Sequence, residues 1–385
     1  MKYGLALEGG GARGAYHIGA VKALKDNGVE FEAVCATSIG AINAAMIVQD
    51  DIDLIYDMWK TLSFKDLFDI DEEKLQKAYK KLTPDTIKYL SKKLGNAIKN
   101  GGINTEKIKN ILENIIDEEK IRKSAIDFGL VTVCLSDKKA QELYIKSIPK
   151  NSLVDYIMAS CNLPVFKRAK IDNKRYIDGG IYDNCPVHML EEKGYNNIIA
   201  IRTFKRNRIR DYKNIVKRGN AKITMIEPID ILPSILNFAS DNLNEILQLG
   251  YFDAVKVINK LDGYRYYVLP ESEDTFLQRI IDINSNEIKN IAILLKVQFC
   301  EKSNMKKVLL ENIIPLLISK TKTHEANTYK STMYALVEYV ARKENINRFT
   351  IYNKFEIFLN VVKEKINYEN KTIIDEAIYR LVNNI

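Results

Sequence analysis

Ser38 stands in the run Ala36-Thr37-Ser38-Ile39-Gly40, after one apolar stretch and before another rich in small residues. A serine between strand and helix, with glycine two residues on, has the sequence form of a nucleophile elbow. The tight turn lifts the hydroxyl clear of a sheet, and the following helix points its N-terminus at charge developing there. Ala36 replaces the first glycine of G-x-S-x-G, which is tolerable where that position does not need φ > 0. Ala36, Gly40 and Ala41 are small enough for close strand–helix packing. Read alone, the segment fits better as a serine N-cap opening a buried helix.

A second candidate lies upstream, at Gly9-Gly10-Gly11-Ala12-Arg13-Gly14. The loop satisfies G-x-G-x-x-G, so a dinucleotide fold must be weighed. That use needs an acid at the carboxyl end of the second strand. Glu30 and Glu32 fall at its beginning instead, a strand length from the site. A P-loop fits less well still, because no Gly-Lys-Ser/Thr follows. If both loops leave the carboxyl ends of early parallel strands, they are neighbours at one edge of the sheet. The N–H groups of Gly10, Gly11, Ala12 and Ile39 can then form an oxyanion hole beside Ser38 Oγ, with glycines allowing close backbone approach. Arg13 either holds the loop through its own hydrogen bonds or favours an anionic head group.

A serine nucleophile needs a base. The chain has three histidines. His17 lies one turn into the first helix, and His188 follows Asp178 in the Ser…Asp…His order of α/β hydrolases. A helix over 185–193 is expected to carry His188 away from the Asp178 loop; His324 lies far downstream. Asp178 itself, in Asp178-Gly179-Gly180, reads on its own as an Asx-type turn.

The elements that must position these residues follow from periodicity. Tyr3 to Glu8 reads as a short buried strand, Ala15 to Asn27 as a helix stopped by Asn27-Gly28, Phe31 to Ala36 as a strand and Ala41 to Val48 as a helix. This order opens a parallel α/β sheet. The segment from about 53 to 123 reads as a helical insertion covering one end of that sheet. Strands are predicted over Phe128 to Leu135, Glu142 to Lys146 and Asn197 to Phe204, with a helix near Leu153 to Ser160. A helix from Asp241 to Lys260 and a strand over Tyr264 to Leu269 follow. Beyond Pro270 the chain reads as nearly all helix, placing a boundary near residue 270.

The 385 residues are 46% hydrophobic and 28% charged, enough for one large or two ordinary domains and incompatible with disorder. No repeat period stands out. A net charge of +8, from 58 Lys and Arg against 50 Asp and Glu, is too mild for a nucleic-acid binder. One basic stretch, 202–222, is expected to be a solvated loop or a peripheral contact with an anionic membrane. Cys35, Cys134, Cys161, Cys185 and Cys300 are odd in number and form no CxxC pair, which implies reduced thiols in a cytoplasmic protein. Met1-Lys2-Tyr3 runs straight into a strand, leaving no room for a signal peptide. The apolar run Ala33 to Val48 is too short for a bilayer, which needs about 20 residues.

Taken together, the glycine loop, the elbow Ala36-Thr37-Ser38-Ile39-Gly40 and Asp178-Gly179-Gly180 followed by Asn184 and Pro186 resemble the patatin-like phospholipases. Ala159-Ser160-Cys161-Asn162-Leu163-Pro164 and Gly250-Tyr251-Phe252-Asp253-Ala254 are similar to further stretches of that family. The resemblance covers roughly residues 1 to 270, and nothing is recognised beyond. Two departures are Ala36 and the segment Val165-Phe166-Lys167-Arg168, which lacks the family's usual prolines.

The resemblance implies a three-layer α/β fold with a mainly parallel central sheet, a helical insertion and a mostly helical C-terminal region. It also implies a lipid acyl hydrolase of phospholipase A or lysophospholipase type, with a Ser38–Asp178 dyad, no histidine, no cofactor and no metal. Gly9, Arg13, Gly14, Gly40, Gly179 and Gly180 are then supporting residues. The implied partner is a membrane phospholipid or lysophospholipid, with no nucleic acid. The C-terminal helices are expected to serve regulation or a homo-oligomer contact. Alternatives are a regulated effector or lipid-binding module on this scaffold, or a small-ester esterase or thioesterase.

Overall fold

The computed structural model describes residues 2–67, 102–204, 221–300, 302–321, 326–369 and 371–385. It divides into two compact units, Met1–Val257 and Ile258–Ile385.

The first unit is built on β1 (Lys2–Leu7), whose residues Gly4 to Leu7 are buried. A strand buried on both faces needs helices above and below it, as in parallel α/β sheets. β1 lies parallel between β2 (Glu30–Thr37) and β7 (Asn197–Ile201), and β7 pairs in parallel with β8 (Lys222–Ile226). On the far side of β2 runs β3 (Asp127–Cys134), again parallel. Two antiparallel partners complete the sheet on β3: β4 (Lys139–Tyr144) and β6 (Lys174–Asp178), the latter paired with the short β5 (Lys170–Ile171).

Alternation along the strands sorts the layers. Ala6, Ala33, Cys35, Val131, Ile198 and Ala200 bury against Val187, Met189 and Leu190 of a short helix, Val187–Glu192. On the opposite face, α2 (Ile39–Val48) follows α1 (Gly14–Asp26) and packs so closely that a Cβ on Gly40 would lie 2.8 Å from the Leu7 carbonyl oxygen. The sheet therefore sits between helical layers, with its last turns before the site formed by small residues.

Helix α3 (Ile52–Thr61) follows, and α4 (Glu106–Ile115) and α5 (Glu118–Lys123) lead back to β3. These are the described flanks of the expected insertion; 68–101 lie outside the described residues. Further helices of this unit are α6 (Leu153–Ser160), α7 (Val187–Glu192, named above) and α8 (Ser240–Asn259). The stretch Gly250 to Ala254 belongs to α8, where a Cβ on Gly250 would meet the Tyr16 carbonyl oxygen at 2.1 Å. Three residues on, Asp253 accepts a 2.9 Å hydrogen bond from Tyr16 Oη, so this stretch docks α8 on α1.

Among the described residues, the second unit is mostly helical, with one parallel strand pair, β9 (Tyr267–Val268) with β10 (Ile351–Tyr352). Its core gathers Phe276, Tyr334, Phe355 and Phe358 with Ile288, Ile291, Leu317 and Val337. The division falls at Val257/Ile258, ahead of the 270 expected from the sequence. The reason is local: Glu338 accepts the N–H groups of Tyr264 at 2.6 Å and Arg265 at 2.8 Å. Those bonds tie the segment to the helical unit and shorten the expected strand Tyr264 to Leu269 to two residues. Among the described residues, no helix is long and apolar enough to cross a membrane.

Candidate active site

Strand register brings Ser38 and Asp178 together. β4 occupies one edge of β3 over Gly129–Cys134, so β2 and β6 must share the other. β2 ends with Thr37 opposite Val131, and β6 ends with Asp178 opposite Thr132. β2 runs parallel to β3 and β6 antiparallel, so the two strands approach head-on and finish at adjacent positions. Ser38 Oγ then donates to Asp178 Oδ2 at 2.6 Å.

Ser38 has φ 56 and ψ −131, a backbone region costly for a residue with a Cβ. That is the strained turn expected of an elbow, and the surroundings hold it. Its N–H donates to Ser160 Oγ at 2.9 Å, and Ser160 Oγ donates to the Val131 carbonyl at 2.7 Å. Two residues after Ser160, the Asn162 carbonyl accepts the Asp178 N–H at 2.9 Å. The end of α6 thus grips both members of the pair. The stretch Ala159 to Pro164 is recognisable in the sequence, but its contacts with residues far along the chain are not readable there.

Both side chains are nearly sealed from water, Ser38 at 7% and Asp178 at 4% exposure. Burial pushes the Asp178 carboxyl above its ordinary value, opposed by the hydrogen bonds from Ser38 and from Gly180 N–H, the latter at 2.8 Å.

The glycine loop lies beside the pair, as expected from two adjacent parallel strands. Gly11 has φ +57, and a Cβ there would come within 2.2 Å of the Ile235 carbonyl oxygen. That carbonyl accepts the Ala12 N–H at 2.8 Å. Ala12, expected among the oxyanion donors, is therefore corrected: its N–H is already engaged. The N–H groups of Gly10, Gly11 and Ile39 have no backbone acceptor among the described residues. Arg13 holds the loop, the first of its two expected roles. Its guanidinium donates to the carbonyls of Pro233, at 2.7 Å, and Leu232, at 3.1 Å, and lies 4.5 Å from the centre of the Phe204 ring. Gly9 approaches Asn184, Gly14 lies under Ile39, and Gly179 packs on the Val131 carbonyl, so each would clash as a larger residue.

Glu8, just before the loop, accepts from Arg202 Nη2 at 3.1 Å and from the N–H groups of Thr203 at 2.7 Å and Phe204 at 3.2 Å. Burial raises the Glu8 carboxyl against the attraction of Arg202. These bonds end β7 at Ile201, earlier than the predicted Phe204. Arg202, counted in the basic stretch, is fully buried and is no part of a basic surface. Residues 205–220 of that stretch lie outside the described residues.

A cavity of about 730 Å³ opens over the pair, lined among others by Gly10, Gly11, Leu163, Pro164, Phe204 and Ile235. Ile181 and Tyr182, which also line it, are 60% and 58% exposed. His17 is buried away from solvent, its pKa pushed down to about 3 by burial, with Nδ1 3.4 Å from Asn43 Nδ2. His188 corrects the expectation that its helix removes it from the Asp178 loop. It sits in the first turn of α7, faces back to Asp183 of that loop and lines the same cavity. His324 lies outside the described residues.

Residues 5–191 match the family model described as patatin-like phospholipase, so this part of the chain is a patatin-like phospholipase domain. A patatin-like phospholipase domain-containing protein of Caenorhabditis elegans is 24% identical over 276 residues, covering 70% of this chain and 18% of that protein. Lysophospholipase NTE1 of Kluyveromyces lactis is 26% identical over 203 residues, 51% of this chain and 12% of that protein. The chain thus spans less than a fifth of the length of these relatives. Among solved structures, VipD from Legionella pneumophila aligns over 99% of this chain and 90% of its own at 15% identity, TM-score 0.40. The type III effector ExoU aligns over 98% and 78% at 12% identity, TM-score 0.29.

Proposed function

We propose, starting from the patatin-like phospholipase domain at residues 5–191, that this chain is a serine lipid acyl hydrolase of phospholipase A or lysophospholipase type. The observation that carries the reading is the 2.6 Å hydrogen bond from Ser38 Oγ to the buried Asp178 carboxylate on the wall of a cavity. A carboxylate with a raised pKa is a stronger base than a solvated one, and serine needs such a neighbour.

In this reading Asp178 takes the Ser38 proton as Oγ attacks the ester carbonyl carbon. The oxyanion is held by the N–H groups of Gly10, Gly11 and Ile39, at the N-terminus of α2. Asp178 returns the proton to the departing alcohol as the C–O bond breaks, leaving an acyl group on Ser38. Water then attacks that acyl carbon, giving its proton to Asp178, and the fatty acid leaves as Ser38 recovers its hydrogen. The apolar side of the cavity, with Leu163, Pro164 and Ile235, suits an acyl chain, and the exposed Ile181 and Tyr182 suit contact with a lipid surface.

A fluorophosphonate probe located by mass spectrometry, run beside fatty-acid release from phospholipid and lysophospholipid vesicles, tests this. Labelling at Ser38, with release lost in Ser38→Ala and Asp178→Asn, is the expected result. Labelling with hydrolysis only of short soluble esters or thioesters replaces the lipid by a small substrate. Folded protein that neither labels nor releases fatty acid overturns the enzyme reading.

A further inference from the structure

We propose that His188, held as an imidazolium between Asp183 and Glu142, is a positioning residue that fastens the loop following Asp178 to strand β4. The proposal rests on reading Ser38 and Asp178 as the reacting pair.

The geometry argues for the charge. His188 Nδ1 lies 2.8 Å from Asp183 Oδ2, and Nε2 lies 2.8 Å from Glu142 Oε1. Ionised carboxylates only accept hydrogen bonds, and a neutral imidazole has a single N–H. Both contacts are satisfied at once only when both ring nitrogens carry hydrogen. The two carboxylates raise the His188 pKa to about 9 against the opposing effect of burial.

The loop being fastened is the hub of the site. The Asp183 carbonyl accepts from Thr37 Oγ1, one residue before Ser38, at 2.8 Å. The Asn184 carbonyl accepts the Gly9 N–H at 2.9 Å, and Asn184 Nδ2 donates to the Gly9 carbonyl at 3.3 Å. Gly179 to Asp183 close a turn onto the Gly179 carbonyl. One loop therefore meets the base, the nucleophile strand and the glycine loop.

The sheet register makes the fastening specific. Thr37 pairs with Val131, and Val131 pairs with Glu142, so the three form one rung across β2, β3 and β4. Asp183 is bonded to both ends of that rung: directly to Thr37, and through His188 to Glu142. Loss of the His188 proton breaks one bond and leaves two carboxylates without the cation between them.

Other titratable groups stand on α7 and on the strands packed against it, among them Lys193, just past the helix end, which is paired with Asp127 of β3. Glu191 stands one turn along α7, and Cys185 precedes the helix. Beneath it lie Cys35 of β2, its thiol pushed up to about 12 by burial, and Tyr144 of β4, whose hydroxyl donates to the Met189 carbonyl at 2.6 Å and is raised further. Cys35 and Tyr144 titrate above His188.

The sign follows from linkage. A histidine whose pKa rises on folding adds stability that is complete below about 6.5 and lost as pH climbs through the folded value. The window is therefore from about 6.5 to about 9.

The experiment has three readouts across pH 6 to 10: the ring ¹⁵N shifts of His188, the thermal midpoint, and the rate of fluorophosphonate labelling at Ser38. In the wild type, both ring nitrogens are expected to carry hydrogen at pH 7.5, and midpoint and labelling rate to fall together toward pH 9. His188→Gln has an amide that donates at one end only. It is expected to label roughly ten- to a hundredfold more slowly at pH 7, the scale of a misplaced reacting group, and to lose the alkaline fall. Glu142→Gln offers an amide donor to a neutral ring, so its alkaline fall is expected to flatten. Titration of His188 near 6.5, or unchanged pH profiles in both variants, overturns the proposal. The ring shifts and midpoints are read in Ser38→Ala as well. If the wild type never labels, the hydrolase reading fails, while these two readouts still decide whether the fastening exists.

Discussion

Ser38 and Asp178 stand where two strands meet head-on along one edge of β3, and a 2.6 Å hydrogen bond closes the gap between their side chains. The distance between them is set by backbone pairing to Val131 and Thr132, not by the flexibility of either side chain. A pair fixed this way loses little freedom on reaching a reactive geometry.

In the proposed reaction Asp178 can serve as base only when ionised, and burial holds its pKa above the usual carboxylate value. The rate of ester cleavage is therefore expected to rise with pH through an acid limb centred above about 3.9, the unperturbed Asp value. Asp178→Asn removes the base while keeping the shape and is expected to cost roughly 10²- to 10⁴-fold in kcat. A pH–rate profile with pre-steady-state acylation measures both. An acid limb at the solvated value argues against Asp178 as the titrating group.

Ser160→Ala leaves the buried N–H of Ser38 without its acceptor. An unsatisfied buried polar group costs about 1–3 kcal/mol. The expected outcome is a lower thermal midpoint together with a kcat loss larger than any change in KM, because the elbow relaxes from its strained φ and ψ. Equal kinetics with a lowered midpoint would restrict Ser160 to folding.

Gly11→Ala places a Cβ against the Ile235 carbonyl at a residue with φ +57. Both the backbone conformation and the contact are lost, so the glycine loop must move and Ser38 labelling is expected to collapse. Gly28→Ala is the control: it also has φ > 0 but meets nothing within 4 Å. It is expected to cost only stability, which circular dichroism melting and labelling compare directly.

Arg13→Lys keeps the charge but not the planar fork that spans the carbonyls of Pro233 and Leu232. Proteolysis between 232 and 238 is expected to accelerate, and labelling at Ser38 to slow with it. Unchanged cleavage in that segment would show that the Ile235–Ala12 bond alone suffices.

Arg202→Met strands Glu8, which is 2% exposed, without its cation. Breaking a buried pair on one side costs about 3–5 kcal/mol, an expectation for denaturant melts. Glu8→Gln combined with Arg202→Met is expected to recover part of that loss.

Much of the site was legible because its chemistry is written in short contiguous motifs. The elbow, the glycine loop and Asp178-Gly179-Gly180 each carry their residue types and spacing within a few positions. The buried run of β1 and the 3.6-residue spacing of α1 were equally local. What was not legible depended on partners far along the chain. Ala12 looked like a free donor because Ile235 lies 223 residues away. Arg202 looked like surface charge because Glu8 lies 194 residues away. His188 looked removed from the site because the sequence pattern predicts a helix over 185–193, whereas Val187–Glu192 is short and begins beside the Asp178 loop.

The residue sequence by itself determined that a serine would sit on a tight turn after a strand, beside a glycine loop, with Asp178 on a turn of its own. Local sterics and periodicity suffice for that, since each feature needs only its neighbours in the chain. Only the tertiary structure decided that β6 would arrive antiparallel at the end of β2, that Ser160 and Asn162 would grip both members of the pair, and that His188 would bridge Asp183 to Glu142. Those are matters of strand register and burial, which arise from packing among segments distant in sequence.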